Sequence, residues 1–177
     1  MEETESGPEE PPQRSPRAAD GAAVELVDAT ERLGPDRCRS IVRGLRRCLA
    51  AVPARGELRV RVVGDDEMSA LHLRTLGVPG PTDVLSFDLS EADDATLDCD
   101  AVVCLDVARR RCGEPTDAAA LEGELVLYAL HAALHCLGLG DHDDEAAARM
   151  HAEEDRLLTD AGYGPVFSRG GREGRGA

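Results

Sequence analysis

Two histidines that lie four residues apart are the first feature of this chain that could do chemistry. His131 and His135 begin the stretch His-Ala-Ala-Leu-His-Cys-Leu-Gly-Leu-Gly-Asp-His, which ends at His142. On a helix with 3.6 residues per turn, side chains four positions apart lie on nearly the same face, so both imidazoles can reach one ion. The pair predicts a metal site, since a bound ion would offset the cost of burying two imidazoles.

A third ligand must come from the place where the chain turns back after this helix. The turn Gly138-Leu139-Gly140 delivers Asp141 and His142 as the two candidates. Three protein ligands leave a fourth position for water, which is typical of catalytic zinc. The sequence therefore predicts one Zn²⁺ per chain. The predicted metal ligands are His131, His135, Asp141 and His142, with either of the last two as the third.

A structural alternative explains the same residues without a metal. His131 and His135 would then be core histidines satisfied by carbonyl groups, and Asp141 would cap the following helix. The alternative becomes weaker because a turn and a third donor follow the pair at the spacing that a metal site needs.

Position 132 limits the chemistry of the predicted site. Zinc proteases carry His-Glu-x-x-His with the glutamate as general base, and residue 132 here is alanine. A minimal zinc peptidase is therefore disfavoured. The remaining chemistry is a metal that polarises an electrophile and activates its bound water.

The elements that must position these residues can be predicted from the hydrophobic pattern. The histidines end a helix from about Asp117 to Leu137 that is apolar nearly all round, which is typical of a helix buried inside a domain. Alternating and continuous apolar runs predict strands and a mixed sheet. The other predicted elements are strands at Val24–Val27, in the stretch 56–67, at Thr82–Leu89 and at Ala101–Leu105, and helices at Pro35–Ala51, after Asp65 and at Asp143–Ala161.

Composition excludes several classes of protein. The chain has 35 acidic and 20 basic residues, for a net charge of -15, which repels phosphate backbones at long range and disfavours DNA binding or generic coating of RNA. Aromatic residues make up only 2%, too few for stacking platforms. No apolar run approaches the ~18 residues of a membrane span.

Cysteine usage and the termini indicate the compartment and the domain organisation. The six cysteines form no Cys-x-x-Cys pair and no signal peptide precedes them, so we expect a cytoplasmic protein. Residues 1–22 are acidic and proline-rich, which predicts a disordered tail. Residues 23–164 form the single predicted domain, and residues 165–177 form a flexible Gly/Arg tail.

Two motifs together resemble one known family, the YbeY endoribonucleases or ribosomal RNA maturation factors. Its members carry His-Gly-x-Leu-His-Leu-x-Gly-Tyr-Asp-His after Glu-Leu on the same helix, and here Glu124-Leu125 precedes the histidine stretch. They also carry an apolar helix leading into Pro-Thr-Asp-Val-Leu-Ser-Phe, which corresponds to residues 65–89 here. The resemblance covers about residues 56–160.

The resemblance implies a fold, an activity and partners. The fold would be α+β, a small mixed β-sheet packed with helices, with a zincin-like metal site on a buried helix. The activity would be that of a zinc-dependent, single-strand-specific endoribonuclease in small-subunit ribosomal RNA maturation and ribosome quality control, with metal-activated water attacking a phosphodiester. The implied partners are ribosomal RNA, the small ribosomal subunit and ribosomal proteins, with no membrane and no DNA. No catalytic residue beyond the metal ligands is assigned.

Three positions depart from the family pattern. Ala132 replaces a glycine, and Leu139-Gly140 replaces Tyr-Asp. Counting without a gap puts Asp141 at the third ligand position, whereas a one-residue insertion at Gly140 would restore Asp141-His142 as the Asp-His pair. Leu76 stands where the family has an arginine thought to face the RNA phosphate. Arg74 is nearby but out of register.

The missing arginine favours a second hypothesis from another class. The protein would be a non-catalytic ribosome-assembly factor that binds the small subunit, with a structural or vestigial metal site. Its net charge of -15 points the same way. Such a factor would still sediment with ribosomal subunits after its metal ligands are changed.

Overall fold

Residues 21–91, 96–113, 115–140 and 142–169 are described by a computed structural model of the chain. Within these residues the chain forms four strands and six helices. In chain order they are β1 Ala22–Asp28, α1 Pro35–Ala50, β2 Gly56–Val63, α2 Asp65–Leu76, β3 Val84–Asp88, β4 Leu97–Cys104, α3 Leu105–Cys112, α4 Ala118–Cys136, α5 Asp144–Asp160 and α6 Val166–Arg169. None of the helices in the described ranges is both long and apolar enough to cross a membrane.

The sheet is mixed, as the sequence predicted, with the strand order β1-β2-β4-β3. β1, β2 and β4 are parallel, and their registers pair Val24 with Leu58 and Leu58 with Cys99. β3 runs antiparallel to β4 along the opposite edge, with Val84 opposite Val103. The Pro-Thr-Asp motif at residues 81–83 leads directly into β3, so the motif lies at this edge of the sheet.

Two apolar clusters cover the two faces of the sheet. The larger one joins the sheet to α1, α4 and α5, through residues such as Leu45, Val60 and Leu130. The smaller one lies between the sheet and α2 and is built around Met68 and Leu85. Successive side chains of a strand point to opposite faces, which is why neighbouring residues of β3 belong to different clusters.

Helix α4 passes through the larger cluster, as its all-round apolar sequence predicted. Twelve of its residues are buried, from Leu121 to Leu134. Asp117 caps its first turn by accepting hydrogen bonds from the backbone N–H groups of Ala119 and Ala120 at 3.2 and 3.4 Å. The site is therefore positioned by the most deeply buried helix of the fold.

Two short helices are absent from the sequence-based prediction. α3 begins at Leu105, which had been assigned to the end of a strand, and contains Arg109. α6 lies within the segment 165–177 that the sequence predicted as a flexible tail. Asp155 holds α6 by accepting hydrogen bonds from the backbone N–H groups of Phe167 and Ser168 at 2.8 and 3.1 Å.

The predicted N-terminal tail is mostly outside the described residues. β1 begins at Ala22, the last residue of that predicted tail. Residues 1–20 and 170–177 lie outside the described ranges, as do Asp141, Glu114 and residues 92–95 of the acidic loop. The predicted domain 23–164 contains both apolar clusters apart from Ala22 and residues 166–167 of the larger one.

Replacing Gly44 with alanine is expected to destabilise the domain by about 1–3 kcal/mol. A Cβ atom at Gly44 would overlap the Tyr163 hydroxyl and lie 2.9 Å from Tyr163 Cε2. Tyr163 would have to move, and its hydroxyl would lose the 2.8 Å hydrogen bond that it donates to Glu122. Chemical denaturation would measure the loss as a lower free energy of unfolding.

Gly123→Ala is the matched control, because Gly123 is also a buried glycine within a helix. Its Cβ would meet Val166 Cγ2 at 3.4 Å, an ordinary contact. Alanine is favoured over glycine in a helix by about 0.5–1 kcal/mol, so we expect no loss of stability. Equal effects at the two positions would contradict the assigned role of Tyr163.

Candidate metal centre

His131 and His135 lie in the last two turns of α4, on its half-buried side. Leu137 caps the helix, and Gly138 follows with a φ of 88°, a left-handed conformation that suits glycine. The side chain of His131 is 24% exposed, so the pair is accessible from solvent although the helix is otherwise buried. The helix therefore presents both imidazoles at the surface of the core.

The structure brings the two imidazoles of this pair together. Their ring centroids are 4.5 Å apart and the rings are nearly perpendicular, at 82°. The Nε2 atoms of His131 and His135 are 3.1 Å apart. Two nitrogen ligands of one tetrahedral zinc ion are about 3.3 Å apart, because each Zn–N bond is about 2.05 Å. The pair is thus able to coordinate one ion through both Nε2 atoms.

A glutamate that the sequence analysis did not single out lies behind His131. Glu154 Oε1 accepts a hydrogen bond from His131 Nδ1 at 2.6 Å, and the side chain of Glu154 is completely buried. A carboxylate on the second ring nitrogen is the usual support of a metal-binding histidine. The signal in the sequence is an acidic residue on the apolar face of α5, between Met150 and Leu157.

Of the two candidates for the third ligand, Asp141 and His142, the structure describes only His142. Asp141 lies outside the described residues. His142 is exposed, and its ring packs over Gly140, where a Cβ atom would overlap it. Among the described residues, no three His, Cys, Asp or Glu side chains form a group that could hold a metal ion. The structure therefore gives the positions of His131 and His135, and the identity of the third ligand stays a prediction.

The edge strand β3 lies beside the C-terminal end of α4. Val84 packs against the larger cluster and Ser86, two residues on, is exposed on the same side of the strand. A hydrogen bond with Cys99 lowers the pKa of the Cys136 thiol, whereas burial and the nearby charge of Asp88 act in the opposite direction. Asp88 pairs with Cys99 across the sheet, and Cys99 Sγ lies 3.7 Å from the backbone oxygen of Ala132, so this end of β3 lies near the last turns of α4.

The start of β3 is held by its own side chains. Asp83 Oδ1 accepts hydrogen bonds from Val84 N at 2.9 Å and Thr82 Oγ1 at 3.1 Å. His72 Nδ1 lies 2.9 Å from Gly80 O, which ties the preceding loop to α2. These hydrogen bonds give Thr82 and Asp83 a structural role at the start of β3.

A cavity adjoins the C-terminal turn of α4. It has a volume of about 490 Å³ and is lined by apolar side chains, including Leu134 and Leu139, together with Cys136 and Glu153. A second cavity, of about 460 Å³, is lined by Asp65 and Arg110 among others and contains none of the predicted ligands. The first cavity is lined by Cys136, which follows His135 in the sequence, but by neither histidine of the pair.

The position of the family's arginine carries an apolar side chain. Leu76 ends α2 and is 64% exposed. Arg74, two residues earlier, is also exposed. A leucine cannot neutralise a phosphate, so Leu76 supplies no charge at this position.

Comparison with known proteins places these features in a family. The profile of a family described as endoribonuclease YbeY matches residues 32–162. Proteins named endoribonuclease YbeY are similar to the chain: that of Acidothermus cellulolyticus is 36% identical over 118 residues, and that of Halorhodospira halophila is 42% identical over 113 residues. These alignments cover 58% and 60% of this chain.

The chain spans only part of the length of these relatives. The alignments cover 69% of the Acidothermus protein, 71% of the Halorhodospira protein and 61% of that from Frankia alni, which is 37% identical. A solution structure from Thermotoga maritima is 20% identical, with a TM-score of 0.49, and the match covers 84% of this chain and 90% of that chain.

Proposed function

Because the chain belongs to the endoribonuclease YbeY family, we propose that it is a zinc-dependent endoribonuclease that cleaves single-stranded RNA. Its substrate would be ribosomal RNA of the small subunit, and its role would be in maturation and ribosome quality control. It would act in the cytoplasm, on the small subunit and beside ribosomal proteins. Its relatives' names support the nuclease activity.

The histidine pair is the observation that most supports a metal-dependent reaction. The 3.1 Å separation of the His131 and His135 Nε2 atoms suits two ligands of one zinc ion. These two residues would hold the ion, together with Asp141 or His142. A zinc ion held there would lower the pKa of its bound water and polarise the phosphodiester.

The contacts of the described residues orient a metal ligand, and no general base is assigned among them. Glu154 holds the Nδ1–H group of His131 and leaves its Nε2 atom for coordination. Ala132 is buried and has no titratable group, so the base of a zinc protease is missing from its usual place. The exposed side of β3 at Ser86 would line the cleft and lie along the RNA strand.

A cleavage assay tests this proposal directly. The zinc-loaded protein should cut an end-labelled single-stranded RNA internally and leave the same sequence intact in a duplex. Treatment with a chelator should stop the reaction, and zinc should restore it. Equal cleavage before and after chelation would contradict the metal-dependent mechanism.

Leu76 favours a second candidate function, that of an assembly factor without nuclease activity. An exposed leucine replaces the charge that would stabilise the transferring phosphate. On this hypothesis the protein sediments with small ribosomal subunits whether or not His131 and His135 are intact. Loss of sedimentation together with loss of the metal would count against it.

A further inference from the structure

Glu154 is a buried carboxylate on the apolar face of α5. Its side chain is 0% exposed, and Met150 and Leu157 on the same face are buried too. Such a carboxylate is costly unless it is hydrogen-bonded. Both oxygens have partners, since Oε1 accepts from His131 Nδ1 at 2.6 Å and Oε2 accepts from His151 Nδ1 at 3.0 Å.

The hydrogen bond to His131 determines which ring nitrogen carries the proton. When the Glu154 carboxylate is ionised it can only accept, which puts the proton of His131 on Nδ1 and the lone pair on Nε2. Nε2 is the atom that lies 3.1 Å from His135 Nε2. Glu154 therefore fixes both the orientation and the tautomer of the His131 ring.

A second imidazole keeps the carboxylate of Glu154 in place. His151 stacks on Phe167 with ring centroids 3.6 Å apart and planes inclined by 12°. Phe167 belongs to α6, whose backbone is bound by Asp155, the residue after Glu154. The stack limits the movement of His151 and thereby of the Glu154 side chain.

We propose that Glu154 is the positioning residue of the metal centre, which holds His131 in the tautomer and orientation that bind zinc. This inference rests on the proposed function, since it needs a metal at His131 and His135. It assigns a role in metal affinity to a residue of α5 that is not itself a ligand. Loss of such a carboxylate weakens metal binding by about 10- to 100-fold.

Glu154→Gln tests the proposal with little change in volume. The glutamine amide has an NH₂ donor in place of one acceptor oxygen. This donor either faces an imidazole N–H, so that no hydrogen bond forms, or it donates to Nδ1 of His131 and moves the proton of that ring to Nε2. We expect the zinc dissociation constant, measured by competition with a chromophoric chelator, to rise about 10- to 100-fold. An unchanged constant would overturn the proposal.

Glu122→Gln is the matched control. Glu122 lies near the start of α4 and accepts hydrogen bonds from Ser40 and Tyr163, at 2.7 and 2.8 Å. Its replacement should leave the zinc dissociation constant at the wild-type value. An equal loss of affinity in both variants would overturn the specific role of Glu154.

A second measurement does not depend on the variant or on the metal. Long-range ¹H–¹⁵N spectra of the imidazoles in metal-free wild-type protein should show the proton of His131 on Nδ1. A proton on Nε2 would overturn the proposal even if Glu154→Gln failed to fold. Wild-type protein that shows the expected tautomer but binds no zinc would contradict the proposed function and leave Glu154 as the residue that orients His131.

Discussion

His135→Ala is expected to abolish zinc binding and RNA cleavage together. His135 supplies one of the two Nε2 atoms that lie 3.1 Å apart, and alanine leaves no nitrogen at that position. His131 and the third ligand, Asp141 or His142, then leave only two protein ligands, one fewer than a catalytic zinc site has. His131→Ala should give the same result, because it removes the partner nitrogen.

The loss should not come from unfolding. His135 is half-buried near the end of α4, so its replacement removes little apolar contact from the core. Circular dichroism should therefore show a folded variant, while elemental analysis shows no zinc and end-labelled RNA remains uncut. Full cleavage by the metal-free His135→Ala protein would contradict the mechanism.

Leu130→Ala is expected to cost about 2–5 kcal/mol of unfolding free energy. Leu130 is 0% exposed and lies in the larger apolar cluster, one residue before His131. Truncation removes buried methyl groups and leaves a cavity that the packed helix cannot fill. Denaturant titration would show the loss as a lower midpoint with an unchanged slope.

Leu73→Ala is the same chemical change at a position that is 54% exposed. We expect its unfolding free energy to change by no more than about 0.5 kcal/mol. The folded fraction of Leu130→Ala should still bind zinc, since its histidines are intact. A similar loss of stability in both variants would contradict the assignment of α4 to the core.

Long periodic elements could be predicted from the sequence, and short ones could not. The predicted helix from Asp117 to Leu137 is observed as Ala118–Cys136, because its two predicted end residues serve as caps. α3 has only eight residues, and three of them are consecutive arginines. Too few apolar residues remain to show a helical repeat in the sequence. α6 has four residues and depends on Asp155 of the preceding helix, a contact that local sequence does not encode.

The candidate site could be predicted only where its residues share one element. The spacing of His131 and His135 places them on one helical face without any knowledge of the fold. Glu154 reaches His131 only because α5 folds back against α4, and the two residues are 23 positions apart. The choice between Asp141 and His142 depends on the turn after α4, where helical periodicity gives no information.

The measurement that most directly tests the metal centre is elemental analysis of tag-free wild-type protein beside Asp141→Ala and His142→Ala. We expect about one zinc per wild-type chain, and its loss in only one of the two variants, which would identify the third ligand. Wild-type protein that holds no metal, even after dialysis against zinc, would contradict the zinc-dependent function.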